Sequence, residues 1–202
     1  MPIEKTIKLH SIVKPVLEWA RSKPALGLLV QSLFGSLFLA ASAQMAIELP
    51  FTPVPISMQT LGVFLLVCIQ RKAAVASIAM YLAQASMGLP VLAAGKINPL
   101  WMVGPTGGYL VGFMLSVYPA ARLYGDKPSW QRALLSSFVC QMTILVCGTL
   151  WLACLLGPTK AFEVGFVPFL AVNLIKIVMG LGLVFPVERI RRGFSSFLNS
   201  SL

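Results

Sequence analysis

Acidic residues are scarce in this chain: Asp and Glu together number six against sixteen Lys and Arg, and none falls inside the long apolar runs. That scarcity excludes paired-carboxylate chemistry and any acidic metal cage within those runs. Histidine occurs once, as His10 in the basic N-terminal stretch, where a solvated tail residue is the ordinary reading. The four cysteines, Cys68, Cys140, Cys147 and Cys154, show no CxxC spacing. The last three recur every seven residues, as a packing or lipid-facing stripe does, and no metal site is expected. A Walker lysine motif is also missing, so no nucleotide-phosphate loop is expected.

What fills the chain is apolar sequence. Of 202 residues 57% are hydrophobic and 11% charged, and the mean hydropathy is +0.85. This composition belongs to a polytopic membrane protein. The runs are continuous and too long for the alternating strands of a membrane barrel, so the expected fold is an all-α integral membrane bundle. Six spans can be drawn, over 26–47, 57–69, 73–92, 100–123, 133–156 and 166–187. The second is short for a crossing of about 20 residues and calls for a tilt, a break, or help from the proline-rich stretch before it.

The net charge of +10 follows this topology and gives no nucleic-acid surface, because most basic residues sit at span ends. Thirteen of them fall on one side of the six-span arrangement, against only Lys96 and Lys160 on the other. By the positive-inside rule both termini are cytoplasmic. The first apolar run follows Lys5, Lys8, Lys14, Arg21 and Lys23, yet it is long and leads into Glu48 and a proline-rich loop, so it reads as a retained span. In that loop Pro50, Pro53 and Pro55 fix backbone angles and remove amide donors, which makes a stiff strap able to cap a cavity.

Lys176 stands out. It lies near the middle of the last span, where a cation costs several kcal/mol unless a polar cavity, a partner or an anionic ligand receives it. Asn173, three residues earlier, shares its helical face. Gln44, Gln59, Gln84, Asn98 and Gln141 are further amides in or beside the spans, each ordinary interhelical glue unless they converge on Lys176. Gly104, Gly108 and Gly112 recur at four-residue spacing, which suits close helix packing, with Tyr109 beside them as a ring able to cover a small ligand. Ser32, Ser36 and Ala40 form a second small-residue row. Internal packing is favoured for it over a face for a partner helix.

Four ordered motifs make the chain resemble the BioY family, the biotin-specific S components of energy-coupling factor (ECF) transporters. They are Leu49-Pro50-Phe51-Thr52-Pro53-Val54-Pro55-Ile56 followed by Gln59-Thr60-Leu61-Gly62; Gly88-Leu89-Pro90-Val91; Gly104-Pro105-Thr106-Gly107-Gly108-Tyr109-Leu110 with Gly112-Phe113; and Pro168-Phe169-Leu170 with Lys176. The resemblance implies a six-helix protein that takes biotin from the outer side into a pocket under extracellular loops. It also implies an ECF transmembrane coupling subunit and ATPase subunits as partners, no cofactor, no enzymatic activity and a place in the bacterial cytoplasmic (inner) membrane. Three parts follow: a basic cytoplasmic segment 1–24, a transmembrane substrate-binding domain 25–188 and a short basic tail 189–202.

Carried onto this sequence, the family's ligand-binding positions become Asn98, Tyr109, Asn173 and Lys176. One departs from the pattern. The family's Pro-Gly-Asp-x-x-Lys reads Ala171-Val172-Asn173-Leu174-Ile175-Lys176, so the lysine loses its neighbouring counter-ion unless Glu48 or another group reaches it. Asn173 still accepts a ureido N–H, though as a neutral acceptor more weakly. Lys176 would meet either the ureido oxygen or the valerate carboxylate. Two other readings compete: a purely structural membrane subunit, and a lysine-dependent membrane protein with a different ligand, such as a Schiff base at Lys176.

Overall fold

The computed structural model describes residues 24–126 and 128–199; the basic stretch 1–23 and Lys127 lie outside them. The described chain is mostly helical. Its helices are α1 (Pro24–Gln44), α2 (Gln59–Gln70), α3 (Ala74–Ser86), α4 (Gly107–Tyr124), α5 (Trp130–Leu156), the single turn α6 (Pro158–Ala161) and α7 (Val167–Asn199). Four helical stretches are long and apolar enough to cross a membrane: Ala25–Gln44, Gln59–Ser86, Trp130–Leu156 and Pro158–Arg189. The second of these contains α2 and α3 together. They are separate helices because the backbone at Arg71 turns to φ 56° and ψ −132°, conformations that no α-helix contains.

Several boundaries drawn from hydropathy move. The run expected to span 100–123 becomes helical only at Gly107; before it, residues 100–106 form turns, with Gly104 accepting from the Gly107 amide. Gly104 therefore belongs to a turn, while Gly108 and Gly112 lie on α4. The last helix runs through the division placed at residue 188 and on to Asn199. Between α6 and α7 the backbone widens into a π-turn over Phe162–Phe166.

The stretch between α1 and α2 is an antiparallel pair of two-residue strands, β1 (Ala46–Ile47) and β2 (Ile56–Ser57), registered Ala46 to Ser57 and Ile47 to Ile56. The proline-rich strap is the loop they close. Pro55, next to β2, cannot donate to a longer ladder, so the pairing stops there on the loop side.

Close helix contact is bought by small residues. A Cβ placed on Gly108 would stand 2.2 Å from Trp151 Cβ and 2.7 Å from the Cys147 carbonyl, so α4 and α5 meet almost backbone to backbone. On the other side of the bundle α1 packs against α3. The row Ser32, Ser36 and Ala40 faces inward there: Ser32 and Ser36 are 3% and 0% exposed, and Ala40 is half-buried against the core. Gln84 Nε2 on α3 donates to Ser36 Oγ at 3.2 Å. Gln70 Nε2 donates to the Gln31 carbonyl at 3.0 Å, and Gly35 lies against Ser77. The row is an internal seam, not a free face for a partner. What α1 exposes is Leu29, Leu33, Phe34 and Leu37, an apolar stripe fit for lipid.

Candidate functional site

A cavity of about 590 Å³, counting its open mouth, lies where the strap, α2, α4, α5 and α7 converge. Its apolar surfaces come from Val54 and Pro55 of the strap, Leu110 and Phe113 of α4, Ile144 and Leu145 of α5, and Phe169 of α7. Polar groups concentrate at Ser57, Gln59 and Thr60, and opposite them at Asn173 and Lys176. Mostly apolar walls with a few placed polar groups are the usual make-up of a small-molecule site.

Lys176 is 3% exposed, and its ammonium points into this polar end. Nζ donates to the Ser57 carbonyl at 2.7 Å and to Thr60 Oγ1 at 3.0 Å. Both acceptors are neutral. Glu48, offered by the sequence as a counter-ion, instead pairs with Lys96 at 2.8 Å on the surface. The ion pairs formed among the described residues leave Lys176 out, so its charge is solvated by two dipoles and keeps one N–H for a third partner. Asn173, 4% exposed and one turn away on α7, lines the same cavity and has no side-chain hydrogen bond among the described residues.

Tyr109 reaches the cavity from the first turns of α4. Its ring lies flat against Gly148, where any Cβ would come within 2.1 Å of a ring carbon, and its centroid is 5.9 Å from that of Phe169. Its hydroxyl donates to the Gly165 carbonyl at 2.8 Å, inside the π-turn that leads into α7. A π-turn displaces carbonyls from their helical partners, and here the one at Gly165 also receives Thr149 Oγ1 at 3.5 Å. The ring is thereby held by its hydroxyl and by its contact with Gly148.

Of the four positions expected to hold ligand, the cavity gathers Tyr109, Asn173 and Lys176 and leaves Asn98 outside. Asn98 sits in the loop between α3 and α4, where its Oδ1 accepts from the Leu100 amide at 3.1 Å across Pro99. That local turn occupies its acceptor and holds it half-buried beside Gly104. Sequence reasoning did not assign Ser57, Gln59 and Thr60 to the site. Gln59 and Thr60 carried a signal, as polar residues opening a short apolar run, whereas Ser57 contributes a backbone carbonyl, which leaves no trace in side-chain patterns. Among the described residues no group of three or more His, Cys, Asp or Glu side chains could hold a metal ion.

A family model described as BioY family matches residues 17–193. "Biotin transporter BioY" of Thermotoga maritima is 37% identical over 135 residues, covering 66% of this chain and 80% of that protein. "Biotin transporter BioY" of Rhizobium etli is 33% identical over 165 residues, covering 75% and 87%, and "Biotin transporter BioY2" of Lactococcus lactis subsp. cremoris is 29% identical over 170 residues, covering 80% and 92%. Among solved structures, the S-component for biotin from an ECF-type ABC transporter superposes with a TM-score of 0.71 over 84% of this chain and 93% of that one, at 22% identity. The two chains share a fold.

Proposed function

The chain belongs to the BioY family, and from that premise we propose that it is the substrate-binding subunit of a biotin uptake system, an integral membrane protein of the cytoplasmic membrane and not an enzyme. One observation carries the reading: a buried ammonium, held only by neutral oxygens, shares a largely apolar cavity with the unpartnered amide of Asn173 and the anchored ring of Tyr109. Biotin fits that make-up. Its bicyclic thioether and valeryl chain match the apolar walls, Tyr109 covers the ring, and its ureido and carboxylate groups are the polar ends that Lys176 and Asn173 can satisfy.

In the membrane we place six spans with both termini in the cytoplasm, a reading that the thirteen-to-two distribution of basic residues supports. The strap between β1 and β2 then covers the cavity from outside, and Lys96 with Glu48 lies on the same external face. Without a nucleotide-binding motif of its own, the protein works with an ECF transmembrane coupling subunit and ATPase subunits. Equilibrium titration of the purified protein with biotin tests this reading. Saturable, high-affinity binding supports it, and a folded protein that does not bind biotin leaves the structural-subunit alternative in its place.

A further inference from the structure

A chain of hydrogen bonds runs away from the cavity wall into the bundle. Ser57 Oγ donates to Gln59 Oε1 at 2.9 Å, Gln59 Nε2 donates to Tyr81 Oη at 2.6 Å, and Tyr81 Oη donates to the Val91 carbonyl at 3.0 Å. Ser57 and Gln59 line the cavity; Tyr81 on α3 is fully buried behind it and is not among the lining residues. The chain has one direction only. A carbonyl can accept and never donate, so the single proton of Tyr81 is committed to Val91 and its oxygen must accept from Gln59. The Gln59 amide therefore turns its nitrogen to Tyr81 and its oxygen to Ser57, and the single Ser57 proton is drawn to Gln59. An amide that packs equally well in two orientations is restricted to one by a carbonyl in the loop that follows α3.

With its proton spent, Ser57 Oγ has only lone pairs left to offer. Lys176 Nζ, bonded to the carbonyl of that same residue, retains one N–H, and Asn173, one turn along α7, has a free amide oxygen. We infer that Tyr81 is a positioning residue for ligand recognition: through Gln59 it holds Ser57 as an acceptor, so that Ser57, Lys176 and Asn173 present an acceptor, a donor and an acceptor to the N–H, C=O and N–H edge of a cyclic urea. A carboxylate offers acceptors alone and would meet the lone pairs of Ser57 without a proton between them. The ureido end of the ligand thus lies at Lys176, and the carboxylate lies away from it. This assignment rests on biotin being the ligand.

Three probes test it by titration of the purified protein: biotin, biotin methyl ester, and biotin methylated on a ureido nitrogen. The unsubstituted protein should bind the ester about as well as biotin, and the N-methylated form at least about tenfold more weakly, one hydrogen bond being lost in a buried site. In Tyr81→Phe, biotin and its ester should each weaken by about tenfold while the N-methylated form weakens less, so that discrimination between them shrinks. A merely structural role would weaken all three by the same factor, and that result overturns the inference, as does no change at all. Ser57→Ala, at the end of the strap, is the second variant and should shrink the same ratio; an unchanged ratio there refutes the inference even if Tyr81→Phe does not fold. Biotin binding by the unsubstituted protein without discrimination against the N-methylated form refutes the urea assignment alone. Failure to bind biotin at all refutes the biotin reading and the assignment with it.

Discussion

Replacing Lys176 by Met separates ligand binding from stability more cleanly than any other change in this protein. Lys176 Nζ makes two bonds, to the Ser57 carbonyl at 2.7 Å and Thr60 Oγ1 at 3.0 Å, and has no carboxylate beside it. Truncating one member of a buried ion pair normally strands the other charge and costs about 3–5 kcal/mol. Here no partner charge is stranded. The variant loses two charge-to-dipole bonds but also sheds the cost of holding an unpaired ammonium at 3% exposure, several kcal/mol in its own right. Methionine keeps a long flexible side chain in the same space, so thermal stability in detergent should be unchanged or higher. Binding should behave differently. The third N–H is a charged donor to buried ligand, worth about 1.5–3 kcal/mol, so biotin affinity should fall roughly 10- to 150-fold. Calorimetric titration beside a thermal melt of the same preparation reads both quantities. Unchanged affinity in a stable variant would remove Lys176 from the site; a steep loss of stability would show that its two bonds hold α2 to α7 more strongly than the charge opposes it.

Asn173→Asp should tighten biotin and biotin methyl ester together by several-fold, because a carboxylate one turn from Lys176 supplies its counter-ion and a stronger acceptor for a ureido N–H. Weaker binding of the acid with unchanged binding of the ester would instead place the ligand carboxylate at Lys176. Gly148→Ala should lower stability by about 1–3 kcal/mol and weaken biotin as well, since the added methyl occupies the space of the Tyr109 ring; a melt and a titration matching the unsubstituted protein would contradict that packing. Ser36→Leu should destabilise by about 1–3 kcal/mol, overfilling the α1–α3 seam and depriving Gln84 of its acceptor, and an unaltered melt would show that this seam is looser than its burial indicates. A cysteine at Lys96, in a chain whose own four cysteines are replaced, should react with a membrane-impermeant reagent added outside intact cells; labelling from the cytoplasmic side alone would invert the topology.

The sequence by itself determined the class of protein and much of its family character. Continuous apolar runs with charges at their ends leave a backbone in lipid no option but helices, and the strap and glycine motifs are long and ordered enough to carry the resemblance. It also marked Lys176, because a cation deep in an apolar run is costly enough to demand a polar surrounding wherever the rest of the chain folds. Tertiary structure decided what local pattern cannot carry. The spacing of Ser32, Ser36 and Ala40 defines one face of a helix, but only packing against α3 turns that face inward. Glu48 and Lys96 are remote in sequence and meet because the strap and the following loop share one end of the bundle, which takes the acid away from Lys176. Asn98 sits just before the Gly-Pro-Thr-Gly-Gly-Tyr motif, yet it is not among the residues lining the cavity, and its Oδ1 accepts from the Leu100 amide. The acceptors that hold Lys176 come from a backbone carbonyl and a hydroxyl more than a hundred residues away, and the orientation of Gln59 depends, through Tyr81, on the carbonyl of Val91 in the loop after α3. Backbone carbonyls are the same at every residue, so their part in a site is invisible until the chain has folded around it.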